Sequence, residues 1–242
     1  AQSTLATFTD PNTDQAVRFR FRQSALTQAS QMFVVGSDEL GSLDVWATSR
    51  FIPGISDWYP KASIWSDPVT LVDSSALIQE IQGVMDPNGR FHIFWVADDP
   101  NAETGPQKSI YYSIWDQSNI SIPAQILSSP KMDVDKISAA YDPNRNRLEV
   151  VWNDAGTGMV YFSWADINRS GRLFEWADPI QLPISNLLAQ TPDILATPDG
   201  TILIAYSIPI NEGRGIYLLS SSDGGVTWSE PYQVFDAAQQ NW

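Results

Sequence analysis

The chain has 242 residues, 43% of them hydrophobic, with 28 acidic against 14 basic residues and a net charge of −14. That length and apolar content can build one domain with a sizeable core, while so few and scattered basic residues exclude the Lys/Arg patch that nucleic acid requires. Cysteine is absent, which excludes disulfides and thiolate metal sites, and no run approaches the eighteen apolar residues of a membrane span.

In chain order, residues 1–15 read as an N-terminal extension. A first repeat over 16–75 has expected strands at 16–22, 31–35, 43–47 and 69–72, the first marked by the alternation Ala16-Val17-Arg18-Phe19-Arg20-Phe21-Arg22. The second repeat, 76–130, has them at 81–85, 91–96, 109–115 and 123–127. The third, 131–186, has them at 137–141, 148–153, 159–164 and 179–182. The fourth, 187–236, has them at 192–196, 201–207, 215–220 and 232–235, and a tail of 237–242 follows. These segments are rich in Val, Ile, Phe, Tyr and Trp, with Asp, Asn, Gly and Pro between them, and no stretch of ten residues keeps a helical period. The chain is therefore all-β.

The repeats share wording. Trp65-Ser66-Asp67-Pro68, Trp176-Ala177-Asp178-Pro179 and Trp228-Ser229-Glu230-Pro231 are one phrase, and Pro68, Pro123, Pro179 and Pro231 are 55, 56 and 52 residues apart. Asp86-Pro87-Asn88-Gly89, Asp142-Pro143-Asn144 and Pro198-Asp199-Gly200 each precede an apolar strand. A period of this size with several short strands per unit predicts a β-propeller of four-stranded antiparallel blades, about four of them in this chain.

The last repeat carries the most specific string, Ser221-Ser222-Asp223-Gly224-Gly225-Val226-Thr227-Trp228. It reads as a hairpin turn: the glycines admit positive φ, Asp223 accepts backbone N–H groups, and Trp228 is an apolar anchor. Ser221, Asp223, Gly225, Thr227 and Trp228 match all five defining positions of the Asp-box, so the chain resembles the sialidase-like, or BNR-repeat, propeller family. In that family the box is a fold element away from the active site. We expect Trp65, Trp176 and Trp228 to be buried within their own blades or against the next one. The resemblance also implies six blades, so the four seen here form either a small ring or part of a six-bladed one. An open arc would leave blade edges free for self-association or a larger assembly. A catalytic sialidase would further need three clustered arginines, an Asp acid/base and a Tyr nucleophile paired with Glu. The Arg-Ile-Pro motif of that family is absent, Arg50-Phe51-Ile52-Pro53 resembles it only loosely, and Arg18, Arg20 and Arg22 lie on one face of a single strand.

Strand direction places the functional loops. With the first-to-second and third-to-fourth strand turns on one face, the connections between second and third strands (36–42, 97–108, 154–158 and 208–214) emerge on the other, where ligand loops are expected. They carry Asp38, Asp98, Asp99, Asp154 and Glu212. One reading makes Asp38, Asp98 and Asp154 ligands of a hard cation such as calcium, or a source of a general acid for glycoside chemistry; the other, which is favoured, makes each a cap on its own turn. Trp95, Trp152 and Tyr206 recur at the strand ends of the same face, where they either stack on sugar or pack between blades. His92 alternates away from Trp95 and reads as a packing residue, as do Tyr111, Tyr112, Tyr161 and Tyr217. The expected role is a non-catalytic binding or assembly module with a glycan or protein partner, carbohydrate being the favoured ligand. The alternatives are a sialidase-type glycoside hydrolase and a structural subunit of a surface assembly. The sequence opens on Ala1, which fits a mature form or a segment of a longer chain. We expect an extracellular or cell-surface location, with the cytoplasm left open.

Overall fold

The structure is a computed structural model that describes the strands named below between residues 8 and 72, together with residues 78–99, 107–116, 119–126, 132–168, 175–185 and 188–239. A short ribbon pairs β1 (Phe8–Thr9) with β2 (Ala16–Val17). The first sheet follows as β3 (Arg20–Leu26), β4 (Met32–Ser37), β5 (Leu43–Ala47) and β6 (Val69–Val72). The second contains β7 (Glu80–Met85), β8 (Arg90–Asp98), β9 (Lys108–Asp116) and β10 (Asn119–Ile126). The third contains β11 (Val134–Asp142), β12 (Arg147–Asp154), β13 (Val160–Asp166) and β14 (Ile180–Gln181). The fourth contains β15 (Gln190–Ala196), β16 (Ile202–Ile208), β17 (Gly215–Ser221) and β18 (Tyr232–Asp236). Each sheet is an up-and-down meander in chain order. Among the described residues no helix is long and apolar enough to cross a membrane.

The first strand differs from expectation. The alternating stretch 16–22 does not form one strand: Ala16–Val17 pair back on Phe8–Thr9, and the first sheet opens at Arg20 and runs on to Leu26. A register shift falls between Phe21 and Gln23. The same irregularity recurs near the start of β11, between Val134 and Ile137, and of β15, between Gln190 and Asp193.

The chain divides into two compact units, residues 1–93 with 113–124 and residues 94–112 with 125–242. In the first unit the opening strands β3 and β7 run side by side, and in the second β11 and β15 do the same. In the second unit the third and fourth sheets pack face to face. Val151 and Phe162 from one meet Ile194, Ile204 and Leu219 from the other. Every residue of β12 is buried because both faces of its sheet are covered, whereas β16 alternates buried with half-buried positions.

The glycine turn joins these two sheets. Ser221 Oγ donates to Asp223 Oδ1 (2.9 Å) and accepts from Gly225 N (2.8 Å), while Thr227 N donates to Asp223 Oδ1 (2.9 Å). The Thr227 hydroxyl and N–H hold the Asp223 carboxyl down to about 2. Gly225 sits at φ 88°, and a Cβ there would lie 2.4 Å from Phe162 Cε1, so only glycine lets the turn press on that ring. Trp228 meets Phe162 edge to face at 5.3 Å and donates Nε1–H to Gly225 O at 3.1 Å. Trp176 likewise sits edge to face on Phe94 (5.8 Å) and Tyr112 (5.4 Å). Both indoles are therefore half-buried against the preceding sheet, which corrects the expectation that they lie inside their own blade or on the next. Trp65 lies outside the described residues.

Candidate functional site

At the strand ends where the second strand of a sheet connects to the third, the predicted aromatics form a ladder. Trp95 lies face to face on Tyr111 (5.7 Å), Trp152 on Tyr161 (5.9 Å) and Tyr206 on Tyr217 (5.5 Å). The tyrosine hydroxyls then reach the adjoining turn, donating to Asp98 O (3.2 Å), Met159 Sδ (3.4 Å) and Gly213 O (2.7 Å) respectively. Trp95 and Trp152 are 1% exposed and Tyr206 3%. With one ring face stacked and the other buried, none of the three offers a surface to a sugar. Burial, and then Tyr217, push the Tyr206 hydroxyl up to about 12.

The carboxylates at this end are mostly committed to backbone. Asp154 Oδ1 accepts from Thr157 N (2.7 Å) and Oγ1 (2.9 Å), and its Oδ2 accepts from Asp133 N (3.0 Å). Asp133 Oδ1 in turn accepts from Lys108 N (3.1 Å), and Asp99 Oδ2 accepts from Ser109 Oγ (3.1 Å). Asn153 accepts from Lys136 N (3.1 Å) and donates to Asp135 Oδ2 (3.4 Å). This chain of bonds joins the ends of β8, β9, β11 and β12 within the second unit. Asp98 and Glu212 are exposed, and Asp133, Asp135 and Lys136 are half-buried. Among the described residues no group of three His, Asp or Glu side chains could hold a metal ion, and Asp38 lies outside them. Asp154 is a turn cap with both oxygens occupied. Asp133, Asp135, Lys136 and Asn153 were missed by the sequence reading; the charged run just before the strand-start irregularity was the available signal.

The opposite strand ends carry a second polar cluster. Asp86 caps its turn through Asn88 N and Arg90 N (both 2.8 Å) and binds Arg90 Nε (2.6 Å), while His92 Nε2 lies 3.3 Å from Asp86 Oδ2. Burial works to raise the Asp86 carboxyl, but the bonds from His92 and Arg90 outweigh it and hold it well below the usual range. His92 is itself held below its ordinary value by burial, as a packing residue. In the third sheet Asp142 takes the same place with Arg145 (2.9 Å). Arg147 donates to Glu149 Oε1 (3.0 and 2.8 Å) and to Gly224 O (2.6 Å), and it stacks over Trp164 at 4.6 Å. Glu149 is fully buried, and its Oε2 has no hydrogen-bond partner. Burial pushes its carboxyl up to about 7, with Arg147 offsetting only part of the effect.

No protein-family model and no curated protein matches the sequence. Solved structures do resemble it. The Trypanosoma rangeli sialidase in complex with the inhibitor DANA matches at TM-score 0.55 and 13% identity, over 92% of this chain and 40% of that one. The leech intramolecular trans-sialidase complexed with 2,7-anhydro-Neu5Ac matches at TM-score 0.61 and 12% identity, over 90% and 51%. The α-L-arabinanase of Penicillium chrysogenum complexed with arabinobiose matches at TM-score 0.56 and 13% identity, over 85% and 58%. The fold is a β-propeller. The chain spans about two fifths to three fifths of the length of these three structures, and identities this low speak to fold alone.

Proposed function

We propose that the chain is a carbohydrate-binding propeller module of the cell exterior, acting at the strand ends that carry Asp98, Asp135, Lys136 and Glu212. The observation that supports binding over hydrolysis is the use made of the carboxylates there: Asp99 and Asp154 hold hydroxyl and backbone N–H groups, as turn-capping carboxylates do. The propeller glycosidases it resembles favour a saccharide as the ligand class, and the net charge of −14 favours a neutral or basic glycan over an anionic one. The ladder of Trp95, Trp152 and Tyr206 is a scaffold in this reading, and the Ser221–Trp228 turn is an Asp-box that fastens one blade to the last. The turn-cap role of Asp154 makes calcium unnecessary to this reading; a rise in melting temperature with added calcium would favour the Asp38, Asp98 and Asp154 cation site.

A glycan array followed by calorimetry tests the proposal. Binding to a neutral glycan that falls at least tenfold in Asp98→Ala or Asp135→Ala, with thermal stability kept, is the expected result. The hydrolase alternative is favoured by the sialidases and arabinanase among the similar folds. Turnover of an aryl sialoside or arabinoside by the purified chain, lost in Asp98→Asn, would put that alternative first.

A further inference from the structure

The turns that lead into the second strands of the sheets repeat one arrangement with different residues. In the second sheet Asp86 N donates to Arg90 O (3.0 Å), in the fourth Thr197 N donates to Thr201 O (2.9 Å), and in the third Asp142 lies opposite Arg147 in the strand register, so Asp86, Asp142 and Thr197 occupy one position. The residue two places into the following strand is then His92, Glu149 or Leu203. Where the turn holds a carboxylate, this position holds a group able to carry a proton: His92 Nε2 lies 3.3 Å from Asp86 Oδ2, and Glu149 lies beside Asp142. Where the turn holds Thr197, whose own hydroxyl bonds Thr201 O (2.7 Å), the position holds a leucine.

Two carboxyls beside each other in a dry site do not both ionise without a large cost. The Asp142 and Glu149 side chains are both fully buried, and Arg147 serves them unequally: its Nε lies 3.0 Å from Glu149 Oε1 but 3.9 Å from Asp142 Oδ2, which Arg145 holds at 2.9 Å. Glu149 Oε2 receives no N–H or O–H, and a buried acceptor left bare is costly. A proton on that oxygen removes the cost, because it makes Oε2 a donor with the Asp142 carboxylate as its acceptor. The other charged groups on the surrounding elements are engaged elsewhere. Arg145 donates to Asp142, Gly200 O (2.8 Å) and Ser222 O (3.1 Å), Asp166 on β13 accepts from Asn168 N, and Asp223 on the glycine turn accepts from Ser221 and Thr227. Arg147 meanwhile shares one terminal nitrogen between Glu149 Oε1 (2.8 Å) and Gly224 O (2.6 Å), and Gly224 sits so close to the arginines that a Cβ there would lie 2.7 Å from Arg145 Nε. The protonation state of Glu149 therefore bears directly on how the third sheet holds the glycine turn of the fourth.

We propose that Glu149 is a neutral acid whose Oε2–H bonds the Asp142 carboxylate, making a proton-held latch between the third sheet and the glycine turn of the fourth. Its opening is a single ionisation. The O–H bond of Glu149 breaks, the electron pair stays on Oε2, the proton passes to water, and the two adjacent carboxylates then compete for Arg147 and draw it from Gly224 O. Carboxyl carbon NMR of the full chain tests this, with the Glu149 signal assigned through the wild-type backbone. The expected result is an acid still protonated well above its ordinary 4.5 and ionising near pH 7, with a lower midpoint in Asp142→Asn, which keeps an acceptor for the turn but removes the neighbouring charge. Deuterium exchange at Gly225 N, which donates to Ser221 Oγ, reads the latch itself. Corrected for its intrinsic pH dependence, exchange there quickens severalfold above pH 7 in wild type and stays unchanged in Glu149→Gln, whose amide mimics the neutral acid. A Glu149 carboxyl that ionises at its ordinary 4.5, an unmoved midpoint in Asp142→Asn, or exchange that quickens equally in Glu149→Gln overturns the proposal. The wild-type titration needs no variant, so it decides the matter whether or not the variants fold.

Discussion

Glu149 makes stability depend on pH in a way that can be isolated. Its carboxyl is raised from 4.5 to about 7 by burial, with the Asp142 carboxylate adding to the rise and Arg147 opposing it. A raised acid is favoured in its neutral form, so its stabilising contribution is complete below pH 4.5 and is lost as pH rises toward 7. The rise from 4.5 to about 7 corresponds to about 3 kcal/mol across that window. His92 works in the opposite direction, since its depressed value costs stability as pH falls through 6.5, and the depressed Asp86 and Asp142 cost stability only at lower pH. The measurement is therefore a difference: urea unfolding of wild type and Glu149→Gln at several pH values between 4.5 and about 8. The amide keeps an acceptor for Arg147 and carries no charge. The variant should match wild type near pH 4.5 and exceed it by up to about 3 kcal/mol above pH 7, or several degrees in Tm for a chain of this size. A difference that stays flat across the window refutes the reasoning, and a variant that loses ground to wild type as pH rises shows that the ion pair with Arg147 outweighs the desolvation.

Gly225→Ala forces a methyl against Phe162 at a positive φ and should cost about 2–4 kcal/mol by chemical denaturation, whereas Val226→Ala on the exposed tip should be silent. Trp228→Ala removes a half-buried ring and its bond to Gly225 O; it should cost about 2–3 kcal/mol, below the roughly 3–5 of a fully buried aromatic. Trp152→Ala, at 1% exposure, should reach that higher range, and any glycan binding should disappear only together with the cooperative melt. Gly215→Ala would place a Cβ against Phe235 O; it should detach β18 from β17, read as a less cooperative and lower thermal melt.

The strands and turns were legible in the sequence because their causes are local. Alternation along Ile202 to Ile208 marks a sheet covered on one face, the all-apolar run Phe91 to Ala97, broken only by His92, marks one covered on both, and Asp223 with Gly224 and Gly225 can do little but turn. The division of the expected strand between Ala16–Val17 and Arg20–Leu26 was not legible, because it follows from pairing with β1 and β4 and leaves no mark on composition. Nor was the fate of the aromatics: a Trp at a strand end reads the same whether its free face meets solvent or a neighbouring sheet, and only packing placed Trp95 and Trp152 in the interior. Arg147 and Glu149, two apart on a strand, resemble a solvated pair; the fourth sheet buries them and so raises the Glu149 carboxyl. The sequence by itself thus determined the repeat, the four-stranded unit and the glycine turn, all set by neighbours within a few residues. Tertiary structure decided which faces are covered, and with that which carboxylates are turn caps and which rings are scaffold.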